Sequence, residues 1–197
     1  MKKFAFDLDG TVTKVETLPI LARELGICAQ MKFLTELTLE GKIPFEKSFR
    51  LRYEVLKKIP SKRIAEIMDA VELDEKIFRF IRENKKSCAV VTGNLDCWIE
   101  PIAAKLDCEI FSSRSEIVNG VPILTEILQK DFAIKKLKER CEKVIAVGES
   151  FNDVPMFKAA DISIAYGGVH KPVDAAISVA SHVVNDSADL CALLKSL

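Results

Sequence analysis

The sequence contains no apolar run that approaches the roughly 20 residues a helix needs to span a bilayer. It also has no excess of either charge. The 29 Lys and Arg balance 29 Asp and Glu, which removes the electrostatic reason to expect nucleic acid or an anionic membrane as a partner. There is no C-x-x-C pair. The six cysteines (Cys28, Cys88, Cys97, Cys108, Cys141 and Cys191) are scattered, and the two histidines, His170 and His182, do not complete a zinc-ligand spacing. Reduced, mostly buried thiols are expected. Internal repeats and low-complexity stretches are absent. Met1-Lys2-Lys3 resembles a secretory leader only in its two lysines, because Asp7 ends the apolar run before a hydrophobic region forms. A cytoplasmic protein is expected, of an oligomeric state that the residues do not specify.

What is present is a large apolar fraction. Hydrophobic residues make up 49 % of 197, enough for one α/β domain plus a small inserted module. Lys3 to Phe6 reads as a strand feeding a polar turn. From Lys14 to Ile77 the pattern is helical only. Thr17-Leu18-Pro19 opens a helix with a capping residue and an early proline, Gly26 closes it, and a second helix runs up to Gly41. Pro44-Phe45 opens a third, and Pro60-Ser61 a fourth with Ile64, Ile67, Met68 and Val71 at helical spacing. Beyond this stretch, apolar strands are expected at Ser87–Val91, Glu109–Phe111, Val144–Val147, Ile162–Tyr166 and His182–Val184, with helices between most of them. Asn119-Gly120 marks a hairpin within 116–125. Near-continuous apolar strands alternating with helices indicate a parallel sheet covered on both faces. The expected fold is therefore α/β: a doubly wound, Rossmann-like core of residues 1–13 and 78–197, with a helical cap of residues 14–77 inserted after the first strand.

In such sheets ligands bind at the carboxyl ends of the strands. Four strand ends or helix starts carry polar residues. Asp7-Leu8-Asp9-Gly10-Thr11 places two carboxylates two residues apart. Unpaired they would repel, so they either meet a cation or form an acidic turn. A carboxylate can also attack phosphorus to give an acyl-phosphate. Thr92-Gly93-Asn94 offers a hydroxyl and exposed backbone N–H groups, suited to phosphate or to an ordinary turn. Lys130 precedes an amphipathic stretch carrying Ile134 and Leu137. It could neutralise developing phosphoryl charge or simply face solvent. Gly148-Glu149-Ser150-Phe151-Asn152-Asp153 offers two carboxylates and an amide, an oxygen-rich set for a hard cation or a helix cap.

In order and type these four segments resemble the haloacid dehalogenase-like superfamily: Asp-x-Asp-x-Thr, then Ser/Thr, then Lys, then an acidic Gly-Asp-x-x-x-Asp motif. Lys171-Pro172 after the fourth strand extends the resemblance along the core. The resemblance implies a magnesium-dependent phosphohydrolase. Asp7 would be the nucleophile that becomes an aspartyl-phosphate, and Asp9 the general acid/base. Thr92 and Lys130 would hold the phosphoryl group. Mg2+ would lie between Asp7, the carbonyl of Asp9, Glu149 and Asp153. The second aspartate, Asp9, favours phosphatases over dehalogenases.

The third expected helix carries Phe45, Phe49, Arg52 and Leu56 on one face. A guanidinium in an apolar stripe either snorkels past its edge or meets an anion. The run from Phe45 to Arg52 looks like the cap of phosphoserine phosphatases. There an arginine at this place binds the substrate carboxylate, and a glutamate nine residues after the nucleophile binds its ammonium. Arg52 and Glu16 occupy those places, and Gly93, Asn94 and Asn152 would add substrate contacts. The implied substrate is a small phosphorylated metabolite, with phosphoserine the leading candidate. Another phosphate ester, transfer to an acceptor other than water, or a non-catalytic phosphate sensor are the alternatives. Two departures stand out. The family's Ser-Gly-Gly is Thr92-Gly93-Asn94 here, and its metal aspartate is Glu149.

Overall fold

The computed structural model describes residues 2–197. Among these, seven strands form one sheet: β1 (Lys2–Phe6), β2 (Cys88–Leu95), β3 (Glu109–Val118), β4 (Val121–Glu126), β5 (Lys143–Gly148), β6 (Ile162–Tyr166) and β7 (His182–Val184). Their order is β4-β3-β2-β1-β5-β6-β7, and every pair is parallel except β3 with β4. The expected doubly wound α/β architecture is present. Because β1 is flanked by β2 on one side and β5 on the other, connections leave it in opposite directions. A crevice opens at its carboxyl end.

Side-chain alternation divides the core between the two faces. Phe4, Phe6, Val90, Ile145, Val147 and Ile164 belong to one apolar cluster. Ala5, Ala89, Val91, Ala146 and Ala165 belong to the other, with Ala133, Ile134 and Leu137 of α7 (Lys130–Lys138) and Met156 and Phe157 of α8 (Val154–Ala159). The first face is covered by α5 (Glu75–Glu83), α6 (Asp96–Leu106) and α10 (Ser187–Ser196), whose Ile77, Ile81, Ile99, Ile102, Leu190 and Leu194 are buried there. A short helix, α9 (Asp174–Ile177), packs its Ala176 into the second face.

Between β1 and α5 lie α1 (Thr17–Leu21), α2 (Cys28–Leu39), α3 (Phe45–Leu56) and α4 (Ser61–Asp69). All four expected helices are there. Ile64 and Met68 face inward from α4, as their spacing requires. On α3, Phe49, Arg52, Tyr53 and Leu56 are buried. Phe49 and Tyr53 pack against Trp98 of α6 at ring-centroid distances of 6.4 and 6.2 Å. The Tyr53 hydroxyl donates to Pro122 O at 2.8 Å and accepts from Leu124 N at 3.2 Å, which ties α3 to the β3–β4 hairpin.

Three local expectations need correction. Thr92-Gly93-Asn94 lies inside β2 rather than after it. The strand continues because Leu95 pairs with Ser113, past a register shift that begins at Val91. Residues 109–111 are only the start of β3, which runs on into the hairpin turning at Asn119-Gly120. Thr17 opens α1 without capping it; its hydroxyl is turned to Asp9 instead. The Phe80 ring of α5 packs edge-on against Phe4 of β1 at 5.3 Å. Among the described residues, no helix is long and apolar enough to cross a membrane.

Candidate active site

Asp7 follows the last residue of the central strand, and its N–H donates to Val147 O on β5 at 2.8 Å. The chain then makes a tight turn over Leu8–Val12, with Gly10 at φ 77°. A Cβ at Gly10 would also meet His170 Cδ2 at 2.9 Å, so both conformation and space call for glycine. This turn sends Asp7 and Asp9 to different partners.

The Asp7 carboxylate accepts from Lys130 Nζ at 2.5 Å. Lys130 is the first residue of α7 and only 4 % exposed. The same ammonium donates to Asp153 at 2.6 Å. The reading of Lys130 as one more solvated lysine is thereby overturned. The second oxygen of Asp153 accepts from the N–H groups of Glu149 and Ser150, at 3.0 and 2.8 Å, and from the Ser150 hydroxyl at 2.9 Å. Asp153 therefore closes its own turn and serves the acidic cluster. Glu149 Oε2 accepts from the Thr11 hydroxyl at 2.6 Å, while Oε1 is buried without a hydrogen-bond partner.

Asp7, Glu149 and Asp153 can each bring a carboxylate oxygen within 4.8 Å of the others. Burial pushes the Asp7 carboxyl well above the ordinary carboxylate range; Lys130 opposes this, while Asp153 and Asp9 add to it. Burial raises Glu149 too, with Asp7 and Asp153 adding repulsion. For Lys130, burial acts to lower the ammonium, but the Asp153 and Asp7 carboxylates override it and keep it protonated. Three buried carboxyl groups face one ammonium, so their ionised forms carry more negative charge than Lys130 can balance. With oxygen-only donors and one orphaned buried oxygen, the cluster fits a hard divalent cation. The side chain of Asp9 lies outside this cluster.

The carboxylate of Asp9 accepts from the N–H of Thr17 at 3.0 Å and from the Thr17 hydroxyl. Its other oxygen accepts from the Asn94 amide at 3.3 Å. Thr92 is buried on β2, and its hydroxyl accepts from Asn94 N at 3.1 Å. At Gly93 a Cβ would collide with the ring of Phe45, so glycine lets α3 lie directly over the strand.

A cavity of about 50 Å³ connects these groups. Asp7, Asp9, Thr92, Gly93, Asn94 and Lys130 line it together with Glu16, Phe45, Phe49, Arg52, Ser150 and Asn152. Of the residues expected to act on the substrate or the metal, Glu149 and Asp153 are the two outside this lining, and they belong to the acidic cluster with Asp7. Arg52 is buried, at 4 % exposure, rather than snorkelling. Its donors reach only neutral oxygens (Ser48 O, Thr35 Oγ1 and Thr38 Oγ1), each at 3.4 Å. Burial lowers this guanidinium to about 10, with Glu16 and Asp9 acting in the other direction, so it remains charged at neutral pH.

Glu16 is raised by burial, and His170 opposes that shift. His170 Nε2 lies 3.2 Å from Glu16 Oε1 and is raised in turn by this contact. Sequence reasoning missed His170, Thr17 and Ser150 as members of the site. Thr17 looked like a helix cap, Ser150 carried no signal apart from its acidic neighbours, and nothing in the sequence around His170 places it near Glu16.

The sequence profile of the haloacid dehalogenase-like hydrolases matches residues 4–158. A phosphoserine phosphatase of Methanocaldococcus jannaschii is 29 % identical over 205 aligned positions, covering 96 % of this chain and 91 % of that one. A phosphoserine phosphatase of Lactococcus lactis is 27 % identical over 176, covering 81 % of each. A solved structure of a phospho-aspartyl intermediate analogue of phosphoserine phosphatase is similar over the whole of both chains, with a TM-score of 0.84 and 28 % identity. A substrate-bound phosphoserine phosphatase complex follows with a TM-score of 0.83 and 27 % identity, over 100 % of this chain and 99 % of the other.

Proposed function

The chain belongs to the haloacid dehalogenase-like hydrolase family, and from that premise we propose that it is a magnesium-dependent phosphomonoesterase whose substrate is phosphoserine. The chain is a phosphatase of the haloacid dehalogenase type; the substrate, the metal and the residue roles are our reading. The observation that carries it is a single cavity lined by Asp7, Thr92 and Lys130 and also by Glu16 and Arg52.

Asp7 attacks phosphorus, the ester P–O bond breaks, and the leaving oxygen takes a proton from Asp9. Water then attacks the aspartyl-phosphate and gives its proton to Asp9. The bond to Asp7 breaks and inorganic phosphate leaves. Lys130 and Thr92 hold the phosphoryl oxygens through a positive charge and a hydroxyl. Asp7, Glu149, Asp153 and the Asp9 carbonyl would hold Mg2+, which when bound neutralises phosphoryl charge as a Lewis acid. Glu149 serves in place of the family's aspartate because Thr11 holds one of its oxygens and leaves the other available. Arg52 supplies a buried cation that only neutral oxygens contact, suited to a carboxylate, and Glu16 supplies the anion for an ammonium. The helices of residues 14–77 act as a cap that excludes water from the acyl-phosphate.

The test is turnover of phosphoserine and of p-nitrophenyl phosphate with Mg2+. Arg52→Ala should raise KM for phosphoserine by about 10- to 100-fold, the worth of a charged hydrogen bond. It should change kcat/KM for p-nitrophenyl phosphate by only about 3-fold or less. A best substrate without a carboxylate, or an equal effect of Arg52→Ala on both esters, would contradict the substrate assignment.

A further inference from the structure

We propose that Asn94 is a positioning residue for proton transfer: its side-chain amide fixes the direction of the Asp9 carboxylate. The proposal rests on Asp9 being the general acid/base.

The argument begins with the place of Asn94. It sits in the irregular part of β2 and is 3 % exposed. A buried amide must find partners for two donors and an acceptor. Its Oδ1 accepts the N–H of Leu95 at 2.8 Å, which decides the orientation of the amide and turns Nδ2 toward the first turn of the site. Nδ2 then donates to Thr17 Oγ1 at 2.8 Å and to Asp9 Oδ2 at 3.3 Å. Since Thr17 Oγ1 accepts from Asn94, its own hydrogen is directed to Asp9 Oδ1, which also takes the Thr17 N–H at 3.0 Å.

Both oxygens of Asp9 are thus held, and Asn94 governs one directly and the other through the Thr17 hydroxyl. All the donors are neutral, so the carboxylate is oriented without an ion pair. Such a network is worth more intact than its separate bonds, because each donor polarises the next. Removing the amide frees Asp9 Oδ2 and lets the Thr17 hydroxyl rotate. The carboxyl then spends less time aimed at the ester oxygen, although Asp7, Lys130 and Arg52 are unaffected.

This role has a signature that substrate binding or simple packing lacks. When the ester P–O bond breaks, its electron pair goes to the leaving oxygen. A basic leaving oxygen needs the proton of Asp9, whereas p-nitrophenolate departs without one. Loss of Asn94 should therefore penalise poor leaving groups selectively in kcat/KM, which reports the steps up to leaving-group departure.

The experiment measures kcat/KM for a series of substituted phenyl phosphates, similar in shape but graded in leaving-group basicity. It compares the unaltered protein, Asn94→Ala, Asn94→Ser and Asp9→Asn. The Asn94→Ser variant keeps a short polar group near the Leu95 N–H in case Asn94→Ala does not fold, and thermal melts check each protein. For Asn94→Ala and Asn94→Ser, phenyl phosphate should lose about 10-fold or more while p-nitrophenyl phosphate changes by about 3-fold or less, a part of the 10²- to 10⁴-fold that general acid catalysis supplies. Asp9→Asn should show the same steepening, more strongly. If Asp9→Asn steepens the dependence and the Asn94 variants lower all esters equally or not at all, the proposal is overturned and the reading of Asp9 stands. If Asp9→Asn itself acts uniformly across the series, Asp9 is not the acid and the proposal falls with that reading.

Discussion

Lys130 is the residue on which the electrostatics of the site turn, because one buried ammonium serves Asp7 and Asp153 together. Replacing it by Met keeps the stem but leaves buried carboxylates facing one another. Breaking a buried pair in this way costs about 3–5 kcal/mol. In a chain of this size that lowers Tm by on the order of 10 °C. The sign of the pH dependence follows from Asp7 and Glu149, whose folded-state values are raised by burial. The native state binds their protons more tightly than the unfolded chain, so their contribution to stability improves as pH falls. Without Lys130 to oppose that rise, the deficit of Lys130→Met relative to the unaltered protein should shrink from neutral toward acid pH in melting experiments. Some of this was legible in the sequence. Carboxylates at the ends of apolar strands have few reasons to be there apart from a ligand, and Asp7, Glu149 and Asp153 do converge. Lys130 alone looked like any other lysine, and only the resemblance singled it out. The approach of His170 to Glu16 depends on a loop and a turn 154 positions apart, and no local pattern encodes it.

At the scale of elements, β2 and α3 set the spacing of the cavity. The ring of Phe45 lies where a Cβ at Gly93 would be. Gly93→Ala should push α3 away from the strand. A displacement of about 1 Å is enough to lower kcat/KM by about 100-fold, which turnover of p-nitrophenyl phosphate would measure. A useful contrast is Asp74→Ala at the start of α5, where the Asp74 carboxylate accepts from the N–H groups of Lys76 and Ile77, both at 3.0 Å. Loss of that cap should cost about 1 kcal/mol, or about 2–4 °C in Tm, with kcat unchanged. The helices were legible because proline and glycine punctuate them and their apolar spacing is regular. The full length of β2 was not. Thr92-Gly93-Asn94 has the composition of a turn, and it continues as strand because β3 offers a partner at Ser113. In the same way Thr17 resembles a helix cap, but a tertiary acceptor, Asp9, takes its hydroxyl.

For the molecule as a whole, the excess of buried carboxyl groups over ammonium should couple stability to a divalent cation. A ligand present at 100 times its Kd stabilises the fold by about 2.7 kcal/mol, so saturating Mg2+ should raise Tm by about 5–10 °C. Glu149→Gln should lose most of that increment, and calorimetry with and without chelator would read it. The doubly wound architecture was readable because continuous apolar strands alternate with helices. The strand order, and with it the position of Asp7 at the point of reversal, was not, because local patterns do not say which strands pair. The central claim is that Asp7 carries the phosphoryl group. Its most direct test is mass spectrometry of protein quenched in acid during turnover of phosphoserine with Mg2+. The account predicts a phosphoryl adduct on the peptide containing Asp7 that disappears once phosphoserine is exhausted and is absent from Asp7→Asn. An adduct on another residue, or turnover by Asp7→Asn equal to that of the unaltered protein, would contradict it.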